Sequence, residues 1–468
     1  MKIALVHPPP RSEFDRHWAR FPVLGLAYVA ASLLRAGHDV VLLDGKLGGL
    51  GVDDIVRRVR DERPDLVGIT CMTVEFPVAV AIARRIKAAR PVPIVVGGAH
   101  VNAAGKAVLD ECDAFDFACV GEGEHLACEL ADAIAAGGAG LARIAGLAYR
   151  RHRLTVWNGA RPYPRDYDEL PFPAWHLFRV GDQVPLLTHR GCPFQCNFCG
   201  HNSGFKPRYR TPASVLAEIE HVVTTFRPNV IRFEDETFGL HVRRTKEILH
   251  GIVARGLHRR VRFSAQTRVD RIDDELVALL REARFETLEL GVESGNPAIL
   301  AATHKGITLE QVERAVVLAR RHRLRVWCKF ILGHPNETLA DIRDTVAFIA
   351  RLNPDRLSVA IMTPYPGTPI HDMARKGEGG YRLLARDWTD FDKYSAGALE
   401  LDGVSLGQLK FYQLWSYVNL YLRNRRLGEL ARLVWAHRPM ARELAWSMLA
   451  RNARELVRAP ASAATAPR

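Results

Sequence analysis

At 468 residues the chain exceeds the roughly 250–300 at which single hydrophobic cores stop growing, so more than one domain is expected. Its 48% hydrophobic and 25% charged residues match an ordinary globular protein and exclude wholesale disorder. No apolar run reaches the ~18–20 residues that span a bilayer, "MKIALVHPPP" turns to proline too soon for a signal peptide, and no recognition module accompanies the net charge of +13, so a cytoplasmic protein that does not bind nucleic acid is expected.

Residues 1–145 alternate short β-branched runs with helical segments: "KIALVHPPP", "LGLAYVAASLLRAG", "HDVVLLD", "DIVRRVRDERP", "DLVGITC", "FPVAVAIARRIKAARP", "VPIVVGGAH" and "FDFACVGEGE". Such alternation predicts an α/β domain, a Rossmann-like parallel sheet with helices on both faces. There is no GxGxxG and no Walker A lysine, so neither dinucleotide nor nucleoside triphosphate has its fingerprint. Glycines fall instead at strand ends, Gly97 and Gly98 in "VVGGAHV" and Gly121 and Gly123 in "VGEGE", where a ligand could approach bare backbone. Residues 146–180 read as a hairpin and a proline-rich connector.

From 181 to 390 the pattern changes to strands followed by loops and helices, predicting a partial (β/α)6 TIM-type barrel whose site gathers at strand C-termini. "VPLLTHRGC" is its first strand, followed by a helix at "TPASVLAEIEHVVTTF" with Thr211 as N-cap and Pro212 at the first position. "NVIRFEDETFG" ends in Glu234, Asp235 and Glu236, "RVRFSAQTRVD" near Arg268, and "FETLELGVESG" at Glu293. "RVWCKFILGHPNET" brings Gly333, Pro335 and Glu337, and "DRLSVAIMTPYPGTPI" brings Tyr365 and Gly367. After the first strand, "THRGCPFQCNFCG" holds Cys192, Cys196 and Cys199. A closed zinc site would need a second ligand pair, which is absent; three thiolates suit an iron-sulfur cubane with one iron left open. Cys71, Cys112, Cys119, Cys128 and Cys328 read as buried small hydrophobes, and no disulfide framework is expected.

Cys192-x3-Cys196-x2-Cys199, with aromatic Phe198 before the last cysteine, resembles the signature of radical S-adenosylmethionine (SAM) enzymes. The resemblance implies a 4Fe-4S cluster whose open iron is chelated by SAM, which is then cleaved to a 5'-deoxyadenosyl radical. It also implies an acidic residue after the second strand, Asp235 or Glu236, accepting from the SAM ammonium. Arg268 would hold the SAM carboxylate with its planar fork, and Glu293 would reach the ribose or the amino group. The first 145 residues resemble the cobalamin-binding domain in front of many such enzymes, in "PP", "GIT", "GGAH" and "GEGE" after successive strands. By that resemblance Thr70 and Met72 contact the cobalamin nucleotide tail, and Gly97 and Gly98 make way for it. Where related domains carry DxHxxG, this chain has "DGKLGG", Asp44 to Gly49, so cobalt would lack that histidine, and His100 is a substitute contact or a plain hydrogen-bond partner.

Residues 391–468 read as a helical region ending in a disordered tail. From 401 onward eleven Lys and Arg face four Asp and Glu. Basic helices with Trp435 and Trp446 suit either a cap packed on the barrel, the favoured reading, or peripheral contact with an anionic membrane. The function expected is cobalamin-dependent methylation of an unactivated carbon in a small-molecule or lipid-like substrate, with electrons from an external donor such as ferredoxin or flavodoxin. The alternatives are a radical oxidative cyclase or rearranging enzyme, similar to the anaerobic cyclase of bacteriochlorophyll synthesis, and a non-enzymatic cobalamin sensor.

Overall fold

The computed structural model describes residues 1–10, 21–152, 154–200, 203–394 and 397–436. In the N-terminal half, β1 (Lys2–His7), β2 (Asp39–Asp44), β3 (Leu66–Thr70), β4 (Ile94–Gly97) and β5 (Phe117–Cys119) run parallel in the order β2-β1-β3-β4-β5. Both faces are covered, because alternate residues serve opposite cores. Ile3 and Leu5 pack with Leu26, Ala27 and Leu33 of the Leu24–Arg35 helix, while Ala4 and Val6 pack with Ile55, Phe76 and Ile82. The expected hairpin is present as β6 (Leu147–Arg151) and β7 (Leu154–Trp157), but it does not belong to the connector. It continues the same sheet antiparallel to β5, making seven strands.

The second sheet is formed by β8 (Gln183–Leu186), β11 (Val230–Phe233), β12 (Arg262–Thr267), β13 (Phe285–Glu293), β14 (Arg325–Leu332) and β15 (Arg356–Ile361), all parallel and in sequence order. Between the first two lie β9 (His189–Arg190) and β10 (Arg208–Tyr209), an antiparallel pair closing the cysteine loop. Outward residues form an apolar layer, where the rings of Phe233 and Phe238 lie 4.7 Å apart and those of Phe263 and Phe285 5.4 Å. The inner side is polar: Lys329 Nζ reaches Glu289 Oε2 and Gln266 Oε1, each at 2.6 Å, and Arg232 pairs with Glu289. The helix after the cysteine loop starts as expected, with Thr211 Oγ1 accepting from Ser214 N at 3.2 Å.

The two halves share one core. Trp175 and Val215 of the second half join the cluster around Leu26 and Ala30. The Leu406–Arg423 helix packs on the Leu339–Leu352 helix and β15, burying Leu409 and Leu420, so the cap reading holds for this segment. Trp446 and the expected tail lie outside the described residues. No helix among the described residues is long and apolar enough to cross a membrane.

Candidate cluster and cofactor site

The cysteine loop is an excursion between β9 and β10, and its entry requires Gly191. There φ is +91°, and a Cβ would sit 2.6 Å from the Lys206 carbonyl oxygen. Cys192 N donates to Gly204 O at 3.1 Å, Cys199 N to Cys196 O at 3.1 Å, and Asn197 Nδ2 to Ala302 O at 3.1 Å. The loop is thus tied to itself and to the segment after β13. Among the described residues no trio of His, Cys, Asp or Glu side chains is close enough to share one metal ion. A cubane makes no such demand, since each thiolate takes a separate iron.

Asp235 does not face this site. Its Oδ1 accepts from Thr188 N (2.7 Å) and His189 N (3.1 Å), and its Oδ2 from Thr188 Oγ1 (2.8 Å). Burial opposes its ionisation, but His189 and these donors hold its pKa below the ordinary value. Arg244 adds a bond from Nη2 to Thr188 O at 2.8 Å. Asp235 is therefore the fixed point of the chain leading into the cysteine loop, and its lone pairs are taken. Glu236 is different: its Oε2 is buried and has no hydrogen-bond partner. Its neighbour Thr237 touches the cluster loop, with Oγ1 3.7 Å from Cys192 Sγ.

Arg268 and Glu293 also sit beside the cysteines, already engaged. The Arg268 guanidinium lies 3.5 Å above the Phe194 ring and donates to Asp270 Oδ1 at 2.9 Å and Oδ2 at 3.3 Å, so the edge expected to clamp a carboxylate holds one of this chain's own. Glu293 Oε1 pairs with Lys305 Nζ at 2.7 Å. Glu293 takes φ +74° at a register shift in β13, and a Cβ at Gly291 would fall 2.6 Å from its Oε1. A non-glycine residue held there is backbone strain spent on aiming one carboxylate. Burial raises the pKa of the Cys196 thiol, while Lys305 and Arg268 pull it down. Lys305, Thr237 and Phe194 were missed in the sequence, although Phe194 stands inside the motif itself.

At the end of β14, His334 is wholly buried, with its ring 6.1 Å from that of Phe198. Glu337 accepts from His334 N at 3.0 Å, and its other oxygen, Oε1, has no partner. Burial lifts Glu337 from 4.5 to about 7. Across that window the folded state holds a proton the unfolded state has lost, so this group's contribution to stability falls as pH rises. Glu337→Gln should therefore gain melting temperature relative to the parent protein between pH 5 and 7.5. A difference independent of pH would show that Glu337 does not titrate there.

In the N-terminal sheet the order reverses between β1 and β3, the position where open α/β sheets bind ligands. Met72, just beyond β3, is 56% exposed at that edge, and Gly121 (φ +104°) has nothing within 4 Å of a built Cβ, so both suit a ligand surface. Gly98 and Gly123 serve packing, whereas Gly97 has room for a Cβ. A Cβ on Gly98 would lie 2.7 Å from Thr70 Oγ1 and Cys71 O, on Gly97 3.6 Å from Cys119 Cβ, and on Gly123 3.1 Å from Val29. Thr70 thus faces Gly98 and is half-buried. His100 is fully buried between Phe76 (4.3 Å) and Trp388 (4.9 Å), and burial pushes its pKa down to about 4. This enclosure excludes the substitute contact. Asp44 of "DGKLGG" accepts from Lys46 N (2.9 Å) and Leu47 N (3.1 Å) and meets His7 Nδ1 at 3.2 Å, while His7 Nε2 lies 3.8 Å from Glu75.

Residues 19–131 match the model of the B12 binding domain, and residues 186–349 that of the radical SAM superfamily. An uncharacterised methyltransferase of Pyrococcus horikoshii is 32% identical over 91% of this chain and 94% of its own length. The chain belongs to the B12-binding radical SAM family. The anaerobic magnesium-protoporphyrin IX monomethyl ester cyclase of Cereibacter sphaeroides is 28% identical over 80% of this chain, which spans 64% of that protein. The radical SAM methyltransferase TsrM of Kitasatospora setae, solved with cobalamin and a [4Fe-4S] cluster, shares the fold at a TM-score of 0.72 and 20% identity, over 90% of this chain and 88% of that one. The cofactors of this B12-binding radical SAM enzyme are accordingly a 4Fe-4S cluster, SAM and cobalamin.

Ion pairs clasp the two cofactor domains together. The glutamates of "VGEGE" cross to the stem of the cysteine loop: Glu124 Oε1 meets Arg190 Nη2 at 2.6 Å, and Glu122 Oε1 meets Arg208 Nη2 at 3.1 Å. The Arg190 guanidinium also packs 5.0 Å from the Tyr28 ring and 5.1 Å from that of Tyr167. The motif read from the sequence only for its glycines contributes mainly through its acids.

Proposed function

We propose that this B12-binding radical SAM enzyme is a C-methyltransferase acting on an unactivated carbon of a small molecule. What carries the reading is the clasp: the stem of the cysteine loop is pinned to the Gly121–Glu124 turn at the ligand-binding edge of the cobalamin domain, so both cofactor sites flank one space. The relative in Pyrococcus horikoshii named as a methyltransferase supports it. Cys192, Cys196 and Cys199 would bind three irons. Glu236, with its unpartnered buried oxygen, would accept from the SAM ammonium, and Lys305 and Glu293 would meet SAM's carboxylate and hydroxyl or amino groups. Gly121 and Met72 would line the cobalamin surface. When bound, these cofactors supply reductive SAM cleavage and a transferable methyl group. The protein's part is to hold the substrate between them and exclude water. An external one-electron donor of the ferredoxin or flavodoxin type would reduce the cluster. The basic helical region offers the means for contact with an anionic membrane.

With methyl-labelled SAM and a candidate substrate, the expected products are labelled substrate, 5'-deoxyadenosine and S-adenosylhomocysteine together. Deoxyadenosine without S-adenosylhomocysteine would favour a cyclase, the reading supported by the relative in Cereibacter sphaeroides.

A further inference from the structure

The N-terminal end of the barrel carries a second concave site. A groove of about 700 Å³ opens between the starts of β14 and β15 and the helices Leu406–Arg423 and Leu427–Ala436. It lies at the opposite end of the strands from the cysteines, since the eight residues of β14 separate its rim from the catalytic end by about 25 Å at ~3.3 Å per residue. Nothing bound there could reach the reacting centre.

Five arginines line the groove against two acids, and the acids are already used. Arg426 donates through Nε to Glu429 Oε1 at 2.9 Å and through Nη2 to Asp355 O at 2.9 Å, which anchors the last helix. The Asp355 carboxylate accepts from Val326 N at 2.8 Å. Arg320 is committed to the Leu352 carbonyl at 3.0 Å. Arg325, Arg356 and Arg432 are left, all exposed; Arg432 gives its Nε to Gly428 O at 3.3 Å and lies in the field of Glu429, which leaves its terminal nitrogens to face the groove with Arg325 and Arg356. Arg325 and Arg356 come from the first residues of adjacent strands, and Arg432 from the helix across the groove. Tyr421 lines the groove with them, its hydroxyl in the field of Arg426, Glu429, Arg356 and Arg432. Five guanidinium groups around one concavity outnumber its two carboxylates, an anion shared among them relieves their repulsion, and their planar forks match phosphate oxygens.

We propose that this groove binds a phosphate or pyrophosphate group, borne by a phospholipid head or by a soluble phosphoester. The test uses the full-length holoenzyme, with inorganic pyrophosphate in titration calorimetry and phosphatidylcholine vesicles with and without phosphatidylglycerol in co-sedimentation. The variant R325Q/R356Q/R432Q should bind pyrophosphate about tenfold or more weakly, because each charged hydrogen bond is worth on the order of a factor of ten. The equally charge-depleted control R151Q/R179Q/R386Q should bind as the parent does. Sedimentation with anionic vesicles that is lost in the groove variant identifies a lipid head, and pyrophosphate binding without vesicle binding identifies a soluble ligand. Equal binding by both triple variants, or no pyrophosphate binding by the parent, overturns the proposal. Should the groove variant melt early, R325Q alone, at an exposed strand start, carries the same comparison.

Discussion

Alanine at Cys192, Cys196 and Cys199 together should leave a folded protein that holds no 4Fe-4S cluster after anaerobic reconstitution and forms no 5'-deoxyadenosine above background. The loop's own geometry explains why folding survives. Beside the long Cys192 Sγ–Thr237 Oγ1 contact of 3.7 Å, the loop is tied through backbone groups and Asn197, and its entry is fixed by Gly191 and by the Thr188–Asp235 bonds, which use no thiol. Iron and sulfide analysis with a melting curve checks both halves. Cluster retention with SAM cleavage in the triple variant would refute the assignment of the ligands. Glu236→Gln supplies the contrast: iron content unchanged, SAM affinity lowered by about 1.5–3 kcal/mol, the range for a hydrogen bond to a charged group.

The strand–helix alternation and the cysteine spacing were legible because both are local patterns. All six barrel strands and their order follow from runs of apolar residues broken by glycine and proline. What was lost lay in direction and in distance. "FEDET" offers three consecutive acids just past the strand: Glu234 turns back to Arg232, two residues before it, and Asp235, the next residue, serves Thr188 and His189. That signal was present and unused. The pairing of Arg268 with Asp270 was equally local. By contrast, Lys305 at Glu293 and Arg190 at Glu124 depend on how loops fold back across the site, over 12 and 66 residues respectively, and no periodicity reports such contacts. The burial of His100 under Trp388 is of the same kind, as the two belong to different domains.

Replacing Arg190 with methionine should destabilise the protein by about 3–5 kcal/mol, because it strands Glu124 without its cation in a buried site. Burial alone would disfavour a charge on Arg190, yet Glu124 and Glu122 overcome it and keep the guanidinium charged. Removing both partners, as Arg190→Met with Glu124→Met, should recover most of the loss, since an apolar pair of similar volume leaves no orphaned charge. Denaturant midpoints for the two single variants and the double one measure the coupling, and additive losses would mean that the two side chains do not interact. The double variant then isolates the clasp's functional part. Its cluster loop keeps all three thiols and the Asp235 anchor, so SAM cleavage should continue. The stem, however, would be held to the Gly121–Glu124 turn by the Glu122–Arg208 pair alone, and methyl-labelled product should fall more steeply than deoxyadenosine. If product and deoxyadenosine fall in equal proportion, the clasp contributes stability alone, and the two cofactor sites are aligned by the shared apolar core around Trp175 and Leu26.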